Sequence, residues 1–251
     1  MRHHAAEQLL SAPADGYTVL VSPHGPFVTN MFLRKQPFDH ATAFAPITVV
    51  GTQPLVLVVH PSVPANNFAE LLAWLRASGG RVNYASSGIG SSAHFAMELL
   101  MRQAGFQATH VAYKGGAQAT VDLLSGNVST MFDTANHALL YMRSGKMRGI
   151  AVGTLQRLKQ APDLPAVAET LPGFEATPWY AMTARAGTPA EIVERLSAEW
   201  GRVVAKPEVQ ERFSKLGVEL LTMTPGATRA YFLSEFRKWG EISRASGAKN
   251  E

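Results

Sequence analysis

The sequence predicts an α/β fold built from parallel βαβ units. Short β-branched or aliphatic runs alternate with helical stretches of about ten residues along almost the whole chain. Ile47 to Val50 and Leu55 to His60 are continuously apolar, as strands covered on both faces are. The joins from strand to helix are rich in glycine and serine.

In chain order, Thr18 to Ser22 is a short strand after an Asp15-Gly16 turn, and the two apolar runs follow. Asn66 or Asn67 caps a helix carrying Phe68, Leu71, Leu72 and Leu75, which stops near Gly79-Gly80. Val82 to Ser86 reads as a strand, and Ser91-Ser92 opens a helix closed by Gly105. His110 to Tyr113 is the next strand, followed by a helix that ends at Gly126. Thr130 to Asp133, a helix from Asn136 to Gly145, and a strand over Gly149 to Val152 continue the alternation. Pro162 to Pro178 is an irregular connection, and Trp179 to Thr183 a strand. Thr188-Pro189-Ala190-Glu191 reads as a capping box with proline at the first helical position. Pro207 starts a further helix, which ends at Gly217. Thr224-Pro225 starts the last, whose Tyr231, Phe232, Phe236 and Trp239 form a core-facing stripe.

The chain has 251 residues, 46% hydrophobic and 17% charged, which suits one large domain or two modest lobes. Its formal charge of +4 favours anions at long range. No Lys/Arg run is interleaved with aromatics, so no nucleic-acid partner is expected. The absence of cysteine excludes disulfides, thiolate zinc sites and cysteine nucleophiles. No apolar run reaches the roughly 18 residues a membrane-spanning helix needs. The stretch Met1 to Gln8 has no apolar core or cleavage pattern, so no export signal is read there.

Parallel sheets bind ligands beyond the carboxyl ends of their strands, which directs attention to the joins. In Ser86-Ser87-Gly88-Ile89-Gly90-Ser91-Ser92, two glycines allow close backbone approach. The serines sit where a helix begins and backbone N–H groups converge. Ordinary turns and caps account for the same residues about equally well. A second join, Lys114-Gly115-Gly116-Ala117, again ends a strand and opens a helix. Lys114 offers attraction for anions, although an exposed lysine is by default solvated. Asp133 ends a third strand, where it can bind a ligand amino or hydroxyl group or cap the next helix. Ser22-Pro23-His24-Gly25 suits one wall of a binding site, or a simple turn. No Gly-x-Ser-x-Gly elbow, His-x-x-x-His or His-Glu-x-x-His pair occurs, so neither catalysis nor a metal is expected. Gly88-x-Gly90-x-x-Ala93 loosely matches a dinucleotide fingerprint, but the next strand ends in Tyr113-Lys114 without the ribose-binding carboxylate.

Several segments together resemble one family across nearly the whole chain. They are Ala14-Asp15-Gly16-Tyr17-Thr18, Asn83 to Gly88, Val111 to Gly115 and Met131-Phe132-Asp133. Phe44-Ala45-Pro46-Ile47, Leu164 to Glu169, Leu171 to Phe174, Ala186 to Pro189 and Lys238-Trp239-Gly240 extend the match. They are similar to the tripartite tricarboxylate transporter receptors, the Bug or TctC family of extracytoplasmic solute-binding proteins. The resemblance implies a periplasmic-binding-protein-like fold of type II, with two doubly wound lobes joined by two crossing strands and closing over a carboxylate ligand. The lobes are expected at residues 1–57 with 178–251, and at 58–177. By the same similarity, Ser87, Gly90, Ser91, Ser92 and Asp133 contribute from the middle lobe, and Ser22, Pro23 and His24 from the outer one. The implied protein is a periplasmic monomer without cofactor that hands its ligand to membrane permease subunits. Family members carry a signal peptide, a first strand, a glycine-containing ligand loop, a helix and a second strand ahead of the segment matching Ala14 to Tyr17. This chain is expected to lack them. The competing expectations are an NAD(P)-binding enzyme using Gly88 and Gly90, and a truncated fragment that binds nothing.

Overall fold

A computed structural model describes residues 4–33 and 37–246; Met1 to His3, read above for an export signal, lie outside them. In chain order the elements begin with α1 (His4–Ser11), β1 (Leu20–Pro23), a single π-helical turn (Gly25–Thr29), α2 (Asn30–Leu33) and α3 (His40–Ala43). Next come β2 (Phe44–Thr52), β3 (Leu55–Val59), α4 (Phe68–Ala77), β4 (Asn83–Ser86), α5 (Ser92–Ala104), β5 (Thr109–Ala112) and α6 (Gly116–Leu124). Then follow β6 (Thr130–Thr134), α7 (Ala135–Arg143), β7 (Arg148–Val152), β8 (Trp179–Arg185) and α8 (Ala190–Val204). The chain closes with α9 (Pro207–Lys215), β9 (Glu219–Leu220) and α10 (Pro225–Ser246).

The chain divides into two compact units, residues 1–52 with 178–251 and residues 53–177. The first division lies ahead of the expected 57/58, because β3 pairs along its length with β6 and extensively with β7. Thus Leu55 to Leu57 cannot be separated from the second sheet.

The first unit holds the sheet β1-β8-β2-β9, in which every neighbouring pair is antiparallel. The parallel pairing expected from the alternation is therefore not formed in this sheet. β8 arrives from the far end of the chain and inserts between β1 and β2, which run in the same direction as each other. β1 is an edge strand and exposes Val21 to solvent. The stripe on α10 packs inward as its spacing predicts: Phe232 and Trp239 are buried, and Phe232 stacks on Trp179 of β8 with centroids 5.2 Å apart.

The second unit holds the sheet β5-β4-β6-β3-β7. β4 pairs in parallel with β5 and with β6, whereas β3 is antiparallel to β6 and β7. All five residues of β3 are buried, which explains its unbroken aliphatic sequence. The core beneath the sheet includes Val56, Val58, Ala85, Leu123, Met131 and Val152.

Local signals mostly act where the residue types place them. Asn67 accepts the Glu70 N–H at 3.0 Å to cap α4, and Gly105 takes a left-handed conformation to end α5. The Thr188 capping box does not form. Its hydroxyl donates to the Arg185 carbonyl at 2.8 Å, and Pro189 becomes an extended N-cap with no side-chain cap bond.

Candidate functional site

The parallel pairing of β5, β4 and β6 brings their carboxyl ends to one edge of the second sheet. Each strand there hands on to a helix: β4 to α5, β5 to α6 and β6 to α7. Three helix N-termini, with their orphan N–H groups and positive dipole ends, are gathered at that edge. Ser87, Gly88, Gly90, Ser91 and Ser92 lie on the first join, Lys114, Gly115 and Gly116 on the second, and Asp133 at the end of the third strand.

At the first join Ser91 is the N-cap of α5 and accepts the His94 N–H at 3.2 Å. The Ser91 N–H donates to the Gly88 carbonyl at 3.1 Å, the Gly88 N–H to Ser86 Oγ at 3.1 Å, and the Gly90 N–H to His94 Nδ1 at 3.3 Å. Gly88 and Gly90, expected as points of close backbone approach, spend their own N–H groups inside the loop. No partner is made among the described residues by the N–H groups of Ser87, Ile89 and Ala93. Ser87 and Ile89 are exposed.

At the second join Gly115 precedes α6 with no side-chain cap, and the Lys114 N–H donates to Gln118 Oε1 at 3.2 Å. Lys114 is exposed. At the third, Asp133 is buried and both its oxygens are engaged: Oδ1 accepts the Thr134 N–H at 2.8 Å, and Oδ2 lies 2.5 Å from His137 Nδ1. Burial raises the Asp133 pKa against the opposing effect of these hydrogen bonds. The side chain braces the start of α7.

Beneath the first join lies a group that sequence reasoning missed. His94 and His110 stack with centroids 4.1 Å apart and planes 12° from parallel, and Tyr84 stacks on His110 at 4.8 Å. Tyr84 OH donates to Glu98 Oε1 at 2.8 Å, and His94 Nε2 lies 3.6 Å from the same oxygen. Burial pulls the His94 pKa down to about 3, with a contribution from His110, and the His110 pKa down to about 4. Burial also raises Glu98. The only trace in the sequence is the spacing of Gly90 and His94; His110 is brought in by strand pairing.

Ser22, Pro23 and His24 belong to the first unit, at the end of β1. The His24 ring is 1% exposed and meets Trp179 and Trp239 edge-on, with centroids 5.3 and 5.1 Å away. Its Nε2 is 3.5 Å from Glu235 Oε2, which accepts the indole N–H groups of Trp179 and Trp239 at 2.8 and 2.9 Å. The imidazole expected at a ligand is a core group. Among the described residues no set of three acidic or histidine side chains is placed to hold a metal. No described helix is long and apolar enough to cross a membrane.

This is the architecture of an α/β solute-binding protein, with strand ends that lead into helix N-termini. The chain belongs to the tripartite tricarboxylate transporter family of receptors, whose sequence profile matches residues 3–248. BugT of Bordetella pertussis is 33% identical over 239 residues, spanning 94% of this chain and 73% of BugT. Among solved structures, Rpa4515 of R. palustris with adipate is 29% identical with a TM-score of 0.84, covering 98% of this chain and 83% of its own. The periplasmic binding protein BugD is 32% identical with a TM-score of 0.80, over 97% and 83% of the two chains. MatC from Rhodopseudomonas palustris, with bound malate, is 26% identical with a TM-score of 0.79, over 96% and 83%. The chain is a solute-binding receptor of tripartite tricarboxylate-type transport.

Proposed function

We propose that this receptor works in the periplasm and captures a small carboxylate-bearing solute on the helix starts of its second unit. As a monomer, it then delivers the solute to the membrane permease subunits of its transporter. The observation that carries this reading is the gathering of the α5, α6 and α7 N-termini at one sheet edge, where the Ser87, Ile89 and Ala93 N–H groups stay unclaimed. A carboxylate accepts such donors with charge-assisted hydrogen bonds, so no lysine or arginine need touch it. Lys114 attracts the anion at longer range. Adipate and malate on two similar receptors support the ligand class, and BugD supports the compartment.

The dinucleotide reading loses support at the same loop. The Gly90 N–H is turned to His94, and the strand beside the loop, β5, leads into Tyr113-Lys114 with no carboxylate for a ribose. Titration calorimetry with di- and tricarboxylates, acidic amino acids, NADH and NADPH tests the proposal. At least one carboxylate should bind with micromolar or tighter affinity, while neither dinucleotide gives heat. Binding of NADH with silence from every carboxylate would overturn it, and silence throughout would leave a chain that binds nothing.

A further inference from the structure

We infer that the stacked pair His94 and His110 is a positioning device that sets the shape of the Ser86–Ser92 loop and so aims its free amides at a ligand. The inference rests on the reading of that loop as the carboxylate site.

His94 acts directly. Its Nδ1 accepts the Gly90 N–H at 3.3 Å, so that nitrogen carries a lone pair and the ring is neutral with its hydrogen on Nε2. The Nε2 side faces Glu98 Oε1 at 3.6 Å, and Glu98 is itself held by Tyr84 OH. His110 acts one step removed. Its Nε2 is 2.7 Å from Ser86 Oγ, the oxygen that accepts the Gly88 N–H at 3.1 Å and reaches the Gly88 carbonyl at 3.0 Å. Two alternate amides of the loop, at residues 88 and 90, are thereby drawn down toward two rings in face-to-face contact. The amides of Ser87 and Ile89 stay uncommitted. Positive φ at Gly88 and Gly90 permits this fold-back of the chain.

The titratable groups against the pair are Tyr84 from β4 and Glu98 from α5. A proton on His94 Nδ1 would turn an acceptor into a donor and expel the Gly90 N–H. Two imidazolium rings 4.1 Å apart would also repel. The burial that holds both rings neutral keeps this latch closed through the neutral range.

Two variants of the full chain separate positioning from packing. His94→Phe keeps an aromatic ring in the stack and removes the acceptor, whereas His94→Asn keeps an acceptor near the Nδ1 position and gives up the stack. Amide hydrogen exchange at Gly90 by NMR and calorimetry with adipate and malate are the readouts. In the Phe variant Gly90 exchange should quicken and affinity weaken, each by about tenfold, the upper end of what one hydrogen bond supplies. The Asn variant should stay nearer the wild type in both. Wild-type exchange at Gly90 in the Phe variant overturns the inference, and so does an Asn variant that behaves like Phe. Should the wild type bind neither these probes nor any other carboxylate of the panel, the carboxylate reading fails alone, and the exchange rates still decide the latch.

Discussion

At Gly88 the backbone takes φ of 125°, and a Cβ there would meet the Tyr113 carbonyl oxygen at 3.1 Å. That dihedral is open to glycine and costly for other residues. Gly88→Ala is therefore expected to cost about 1–3 kcal/mol of stability and to weaken carboxylate binding. Gly116 is the control, since a Cβ there meets nothing within 4 Å. Urea unfolding checks the pair: Gly88→Ala should lower the midpoint and Gly116→Ala should not. Equal midpoints for the two would show that the loop relaxes freely. The two glycines were legible in the sequence as points of close backbone approach. Their actual use was not, because the N–H they free is claimed by a histidine side chain four residues on and by a serine positioned through His110.

Among the elements, α10 and β8 show how one buried carboxylate organises aromatic packing. Glu235 on α10 accepts both indole N–H groups and faces His24, which follows β1. Burial drives the His24 pKa from 6.5 down to about 4, with Glu235 opposing and Lys238 assisting. The unfolded chain takes up this proton near pH 6.5 and the folded chain does not, so the contribution to stability is complete above about 6.5 and declines toward pH 4. The loss is on the order of 3 kcal/mol. Urea midpoints should fall more steeply between pH 7 and 4 for the wild type than for His24→Phe; parallel curves would contradict a neutral buried imidazole. The aromatic stripe of α10 could be read in advance because its helical spacing is local. The antiparallel insertion of β8 could not, since it depends on a partner more than a hundred residues away, and the Thr188 cap failed because Arg185 offered its hydroxyl a nearer carbonyl.

For the molecule as a whole, the repeating strand-to-helix order was plain from composition and punctuation, and it led to the joins that gather at one sheet edge. The direction of β3 within that sheet was not, because an apolar run carries no arrow. The division at 52/53 rather than 57/58 follows from the same pairing. What the sequence alone could not weigh was which amides remain unspent once the loops have satisfied themselves. The account depends on those amides receiving the anion. The most direct test follows backbone amide resonances of the ¹⁵N-labelled chain while the tightest-binding carboxylate is added. The Ser87, Ile89 and Ala93 signals, with those of Gly116 and Ala117, should move together along one saturating curve that matches the calorimetric affinity. A carboxylate that saturates the protein while those five amides stay in place would contradict the account.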